Sequence, residues 1–291
     1  MIPDVDNDSV VYLNGEYVRL GDAKISVLDR GFIFGDGIYE VVPAYGGKPF
    51  LMDEHLARLE RSLKAVSIDT GLSTTDWERL ILDMLARANL DTCMVYLQVT
   101  RGVAKRDHAY PKQCRPTIFC MVSPLNRPGA AARENGMIAV SMPDERWSHC
   151  EIKSVSLLGN IFAKQYALDH GADEVLQFRG NHLSEGSSCN IWIVKNNVLR
   201  APQRNHLILE GIRYGFLETL AAIDGIPFES RPISREEVAQ ADEILLTSAT
   251  KEILPITQLD GRPVGSGRPG PIYAHLRAAY DEHIARTAQG G

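Results

Sequence analysis

Val10 to Leu13 is a continuous apolar, β-prone run and Glu16 to Val18 a second, short β-prone one, with Asn14-Gly15 between them. That pattern predicts a β-hairpin closed by an Asn-Gly turn. Ile38 to Tyr45 is a strand candidate that ends at Gly46-Gly47. From Asp53 to Val66 the apolar residues Leu56, Leu59, Leu63 and Val66 fall at helical spacing, with Asp53 placed to cap the N-terminus. Thr74 to Ala88 repeats the pattern. Two β-prone runs follow, Cys93 to Thr100 and Pro116 to Val122.

Ser123-Pro124-Leu125-Asn126-Arg127-Pro128-Gly129-Ala130 interrupts this order with two prolines and a glycine. We expect an interdomain linker over 123–131, a small N-terminal domain over 1–122, and a larger C-terminal domain over 132–291. Within the latter, a strand is expected at Met137 to Ser141 and a helix from Ser156 to His170, stopped by Gly171. Glu174 to Phe178, Ile191 to Lys195 and Val198 to Arg200 read as strands, the last two joined by Asn196-Asn197. A helix over Gly211 to Ile223, a buried strand at Ile244 to Thr247 and a hairpin around Asp260-Gly261 come next. An amphipathic helix from Pro271 to Ala285 closes the chain. Strands and helices mix without regular βαβ alternation, which predicts an α+β, two-domain fold.

Composition adds exclusions. The 291 residues carry a net charge of −6, which gives no electrostatic case for nucleic acid or an anionic membrane as partner. Five scattered cysteines, without a Cys-x-x-Cys pair, argue against a disulfide framework or a zinc ribbon and for a reducing compartment. The acidic start Met1-Ile2-Pro3-Asp4 lacks the basic-then-apolar pattern of a signal peptide. No apolar run approaches the roughly 20 residues needed to span a bilayer. The expectation is a cytoplasmic protein. There is no His-Glu-x-x-His metal motif, and Gly35-Asp36-Gly37 is too short for a nucleotide loop, so no metal is expected.

Two local sequences stand out. Lys153 precedes the apolar stretch Val155-Ser156-Leu157-Leu158, and an apolar setting favours the neutral, nucleophilic form of an amine. A single lysine is more often a solvated surface charge. Glu185 precedes Gly186-Ser187-Ser188, small residues that let backbone approach a flat ligand closely. A plain turn or cap would look the same.

The segments around Lys153 and Glu185 resemble the catalytic region of fold-type IV pyridoxal phosphate (PLP) enzymes, the class IV aminotransferase family. Leu28-Asp29-Arg30-Gly31-Phe32-Ile33-Phe34-Gly35-Asp36-Gly37-Ile38-Tyr39-Glu40 is similar to the family's N-terminal motif, and His55-Leu56-Ala57-Arg58-Leu59 to its phosphate-arginine helix. Leu209-Glu210-Gly211-Ile212 and Thr247-Ser248-Ala249-Thr250 resemble its two phosphate loops. The likeness extends over nearly the whole chain and is greatest to D-amino-acid aminotransferases. It implies that Lys153 bonds the cofactor and moves the substrate proton, while Glu185 keeps the pyridine nitrogen protonated. By the same resemblance Arg58, Ile212, Arg213, Ser248, Ala249 and Leu209 hold the rest of the cofactor, and Tyr39 and Val41 border the substrate. Arg213 departs from the pattern, because relatives commonly have threonine there. Its backbone N–H, near a helix N-terminus, remains available to phosphate. Ala249 likewise offers only its backbone, and Cys189 stands where serine is frequent.

Arg106 and His108 resemble the Arg-x-His carboxylate trap of D-amino-acid aminotransferases, two residues apart in a loop expected to be extended. The resemblance implies a homodimer in which this loop reaches the neighbouring active site. It implies transfer of the amino group of a D-amino acid to a 2-oxo acid such as 2-oxoglutarate, by a ping-pong scheme. An exposed basic loop is the bland alternative, supported by Lys105. The competing functions are an aminodeoxychorismate-type lyase, a branched-chain or (R)-amine transaminase, and a non-catalytic member. His108 counts against the first, the Arg-x-His pair against the second, and Lys153 with Glu185 against the third.

Overall fold

In the computed structural model, which describes residues 5–289, Asn14 and Gly15 take positive φ angles of 53° and 102°. A two-residue hairpin turn needs that geometry, and it joins β1 (Val10–Leu13) to β2 (Glu16–Arg19) as expected. Residues 1–4 of the acidic N-terminal stretch lie outside the described residues.

The chain divides into two units. The described part of the first comprises residues 5–126, 152–156 and 285–289. After the hairpin come α1 (Arg30–Phe34), β3 (Gly37–Tyr45), β4 (Lys48–Pro49), α2 (Met52–Ala65), α3 (Thr74–Ala88), β5 (Thr92–Thr100) and β6 (Thr117–Pro124). The strands form one antiparallel sheet in the order β2-β1-β6-β5-β3-β4. Ile38, Val42 and Ala44 of β3 pack with Val95, Leu97 and Val99 of β5, Leu56, Leu59 and Leu63 of α2, and Trp77, Ile81 and Met84 of α3. Burial of such side chains contributes roughly 1.5–3 kcal/mol each. Ser73 caps α3 through a reciprocal box with Asp76. Asp53 does not cap α2 as expected. Leu51 is the N-cap, at a φ of 58°, and Asp53 sits in the first turn, where its charge still complements the helix dipole. The short helix α1 escaped prediction because five residues are too few to show a period.

Lys153 was expected in the C-terminal domain, yet residues 152–156 group with the first unit. The reason is backbone pairing beside β3. Ser154 bridges Ile38, Tyr39 N–H donates to Lys153 O at 3.0 Å, and Val155 N–H donates to Gly37 O at 3.0 Å.

The second unit comprises residues 127–151 and 157–284. In chain order it holds α4 (Ala130–Asn135), β7 (Met137–Pro143), α5 (Leu158–Asp169), β8 (Glu174–Arg179), β9 (His182–Leu183), β10 (Asn190–Lys195) and β11 (Val198–Ala201). It continues with α6 (Ile212–Ile223), β12 (Phe228–Ser230), α7 (Arg235–Ala239), β13 (Glu243–Ser248), β14 (Glu252–Leu259) and β15 (Arg262–Pro263). Helix α8 (Pro271–Gln289) follows, longer than its pattern predicts. The mixed sheet runs β12-β11-β10-β13-β14-β7-β8-β9, with β15 on β14. Its inner strands are apolar on both faces, with Ile191, Ile193, Ile244, Leu246 and Ile256 on one and the buried Trp192, Val194 and Leu245 on the other. Strand β6 reaches Pro124 and α4 starts at Ala130, so the stretch between regular elements is shorter than the expected linker over 123–131. The contact division falls after Asn126. The architecture is α+β.

Candidate active site

Alternation along β3 sorts its side chains. Ile38, Glu40 and Val42 face the core, whereas Tyr39 and Val41 are half-buried on the other face, opposite Gln98 and Tyr96 of β5. Because Lys153 lies alongside Tyr39, its Nζ comes to rest 4.1 Å from the centre of the Tyr39 ring. Lys153 forms no ion pair among the described residues, and its backbone N–H approaches Ser62 Oγ at 3.4 Å. The amine therefore rests on an aromatic face, not against a carboxylate.

Glu40 carries a charge into the apolar face of β3. Arg58 of α2 meets it with two bonds, Nε to Oε1 at 2.7 Å and Nη2 to Oε2 at 2.9 Å. His55 Nδ1 lies 2.8 Å from Oε2, one helical turn before Arg58 on the same face. Burial alone would push the Glu40 carboxyl up, but Arg58 and His55 hold it well below its ordinary value. Arg58, which alone reads as half of a surface pair, is instead a buried guanidinium with a fixed orientation.

The Arg106 and His108 loop is irregular, so strand alternation does not align the two side chains. Both nevertheless meet Phe34 at the end of α1. The Arg106 guanidinium is 5.4 Å from the ring centre, and the His108 ring is 5.4 Å away. Arg30 anchors the loop by donating to Asp107 O at 2.5 Å and His108 O at 3.5 Å, while its Nε binds Asp36 at 2.7 Å. Arg101 holds the same Asp36 and caps α2 through Val66 O and Ser67 O. Burial opposes ionisation of Asp36, and the two arginines outweigh it and lower its pKa.

In the second unit Glu185 is 4 % exposed. Arg146 Nη1 donates to Oε2 at 2.7 Å, and Asn190 Nδ2 donates to Oε1 at 3.0 Å. The Asn190 amide also reaches Leu209 O at 2.8 Å. A Cβ added to Gly211 would lie 2.1 Å from Asn190 Oδ1, so only glycine allows that approach. Gly211 is the N-cap of α6 and Ile212 its first residue, which turns early backbone N–H groups outward. Asn190 pairs with Thr247, so the turn through Ser248 and Ala249 emerges at the same end of the sheet. There Ser248 Oγ accepts from Lys251 N–H at 3.0 Å, and Ser248, Ala249 and Thr250 are half-buried. Arg213 points away from this turn, its Nε donating to Tyr280 of α8 at 2.6 Å. Glu40, Arg146 and Asn190 carry much of this geometry and were missed, as was Asp144, which holds Arg146 from behind at 2.8 Å. Only Glu40, a charge at core parity, left a signal in the sequence.

The amino-transferase class IV family pattern matches residues 37–259. A D-alanine aminotransferase of Staphylococcus haemolyticus is 36 % identical over 275 residues, 94 % of this chain and 97 % of that protein. The chain belongs to the class IV aminotransferases. A D-alanine aminotransferase of Staphylococcus aureus is 37 % identical with the same coverage. The crystal structure of the branched-chain amino acid aminotransferase of Escherichia coli superposes with a TM-score of 0.90 at 26 % identity, covering 94 % of each chain. Class IV aminotransferases use PLP and pass amino groups between amino acids and 2-oxo acids, and this class IV member is such an enzyme.

The donor set fits that cofactor. Ser187 Oγ, next to the Glu185 turn, is buried with no hydrogen-bond partner among the described residues, as expected of a group reserved for a ligand. Burial raises the Glu185 carboxyl above its ordinary value, against the pull of Arg146. A cationic ring nitrogen would relieve that strain. No helix is long and apolar enough to cross a membrane among the described residues.

Proposed function

We propose that this enzyme is a D-amino-acid transaminase that takes the amino group from a D-amino acid and passes it to a 2-oxo acid such as 2-oxoglutarate. The observation that carries the reading is its 36–37 % identity to D-alanine aminotransferases along almost the whole chain. The Arg106–Phe34–His108 arrangement supports it, since two basic side chains on one ring suit a substrate carboxylate. The scheme is ping-pong. The enzyme releases one 2-oxo acid carrying away no nitrogen, then rebuilds an amino acid from the second.

PLP supplies an electron sink for the bond at the substrate Cα. Lys153 would bond the cofactor and, once freed by the incoming substrate amine, its Nζ would take and return the Cα proton, with Tyr39 bordering it. Arg58, the α6 N-terminus at Ile212 and Arg213 N–H, Ser248 Oγ and Ala249 N–H would hold the phosphate. Glu185 would keep the ring nitrogen protonated, and Leu209 would complete the cofactor's contacts. Tyr39, Val41, Arg106 and His108 orient the substrate. We further propose a homodimer in the cytoplasm, with the Arg106 and His108 loop serving the partner's site.

A screen of purified holoenzyme with 2-oxoglutarate as acceptor tests the reading. D-alanine should be consumed and should shift the near-visible cofactor band, while L-leucine should do neither. Turnover of L-leucine without any D-amino acid would instead favour branched-chain chemistry.

A further inference from the structure

Glu185 is the inner end of a chain of buried charges. Arg146, with its side chain 8 % exposed, spans two carboxylates. Its Nη1 holds Glu185 at 2.7 Å, while Nη2 and Nε hold Asp144 at 2.8 and 3.0 Å. The Asp144 side chain is shut off from solvent and also accepts from Ser184 Oγ at 2.7 Å and Arg179 Nε at 3.0 Å. Arg179, at the outer end, donates through Nη2 to the carbonyls of Arg146 and Trp147. These distances are those of strong charge-assisted bonds.

We infer that Asp144 and Arg146 are positioning residues that set the proton on the cofactor's ring nitrogen by rationing positive charge to Glu185. The inference rests on the proposed placement of Glu185 at that nitrogen. Arg146 alone beside Glu185 would make a neutral pair and leave little negative potential to hold a proton on the ring. Asp144 takes part of the guanidinium charge, and Arg179, which balances Asp144, is the outermost and most solvent-exposed member of the chain, so the charge nearest the ring stays negative. At separations of several ångströms within protein, each such charge is worth about one pH unit or more. The other groups around Glu185 do not supply this control. Asn190 is neutral. Cys150 and Cys189 are thiols that burial pushes up. The Glu174–Lys251 pair at 2.6 Å is neutralised internally.

The ring-nitrogen resonance of holoenzyme rebuilt with 15N-labelled PLP reads the proton directly, apart from turnover. Asp144→Asn should lower the pH at which the ring loses its proton by about one unit, and Arg146→Gln should raise it by at least as much. Opposite signs keep the test decisive if the Asp144→Asn variant fails to load the cofactor, because Arg146→Gln alone must then move upward. Unchanged midpoints in loaded, folded variants, or shifts of the reverse sign, would overturn the inference. Glu185→Gln separates the two layers. If it keeps the ring protonated, the placement of Glu185 fails; if it loses the proton while the other two variants match wild type, only the charge chain fails.

Discussion

Lys153 and Tyr39 are joined twice. The Lys153 carbonyl accepts the Tyr39 backbone N–H at 3.0 Å, and its amine lies 4.1 Å from the centre of the Tyr39 ring. The backbone link fixes where the side chain starts, and the ring limits where it ends. Tyr39 therefore aims the amine while staying on the half-buried face of β3, opposite Gln98.

Two substitutions separate these roles. Tyr39→Phe keeps the ring and should cost about 10-fold in kcat/KM through loss of the hydroxyl. Tyr39→Ala also removes the seat and should cost a further factor of about 10 or more, chiefly in kcat. Lys153→Ala should lose turnover by several orders of magnitude. Equal kcat values for Tyr39→Phe and Tyr39→Ala would show that the ring does not position the amine.

The Glu40–Arg58 pair makes stability depend on pH. The folded carboxyl lies below its ordinary value of 4.5, so its contribution is fully present above that pH and is lost as pH falls through the folded value. Glu40→Gln leaves Arg58 buried with its counter-charge gone, and should cost ~3–5 kcal/mol near neutrality. In acid, where Glu40 of the unfolded chain takes up a proton while the folded carboxylate still resists it, the gap should narrow. Denaturant unfolding of both proteins at about pH 7 and about pH 3 checks this. A gap of equal size at both values would mean that the pair's charge is not what stabilises the fold.

Much of the fold was legible because its elements are long and locally consistent. Thr74–Ala88 was bounded correctly since Ser73 and Asp76 cap a regular apolar stripe. Both the Asn14-Gly15 and Asp260-Gly261 turns announce themselves through residues that tolerate positive φ. The site was legible only where a motif lies in one stretch. Arg146 and Glu185 are 39 positions apart and Arg58 and Glu40 are 18 apart, so these pairings exist only once strands and helices are packed. The grouping of Lys153 with β3 escaped for the same reason, since a single bridge leaves no period.

Arg106→Ala tests the carboxylate trap. A charge-assisted hydrogen bond to a substrate carboxylate contributes about 1.5–3 kcal/mol, so KM for D-amino acids should rise roughly 10–100-fold with kcat little changed. The residue is exposed and leans on Phe34, so the fold should be unaffected. Unaltered KM values for both a D-amino acid and a 2-oxo acid would rule out this role.

Arg213 is the clearest departure from the threonine common in relatives, and its geometry predicts a split outcome. The residue is 2 % exposed, and its Nε donates to the buried Tyr280 hydroxyl at 2.6 Å, which ties α6 to α8. Arg213→Thr would leave a void and remove that bond, costing about 2–4 kcal/mol of stability. For a chain of this size that lowers Tm by about 2–4 °C per kcal/mol. The backbone N–H at position 213 would remain, and the new hydroxyl would lie where threonine serves phosphate, so PLP affinity should hold or rise. Tyr280→Phe should reproduce part of the stability loss, about 1–3 kcal/mol, with PLP affinity unchanged. Calorimetry and PLP titration of the apoenzyme measure the two effects separately. A fall in PLP affinity of 10-fold or more in Arg213→Thr would show instead that the guanidinium itself binds the phosphate.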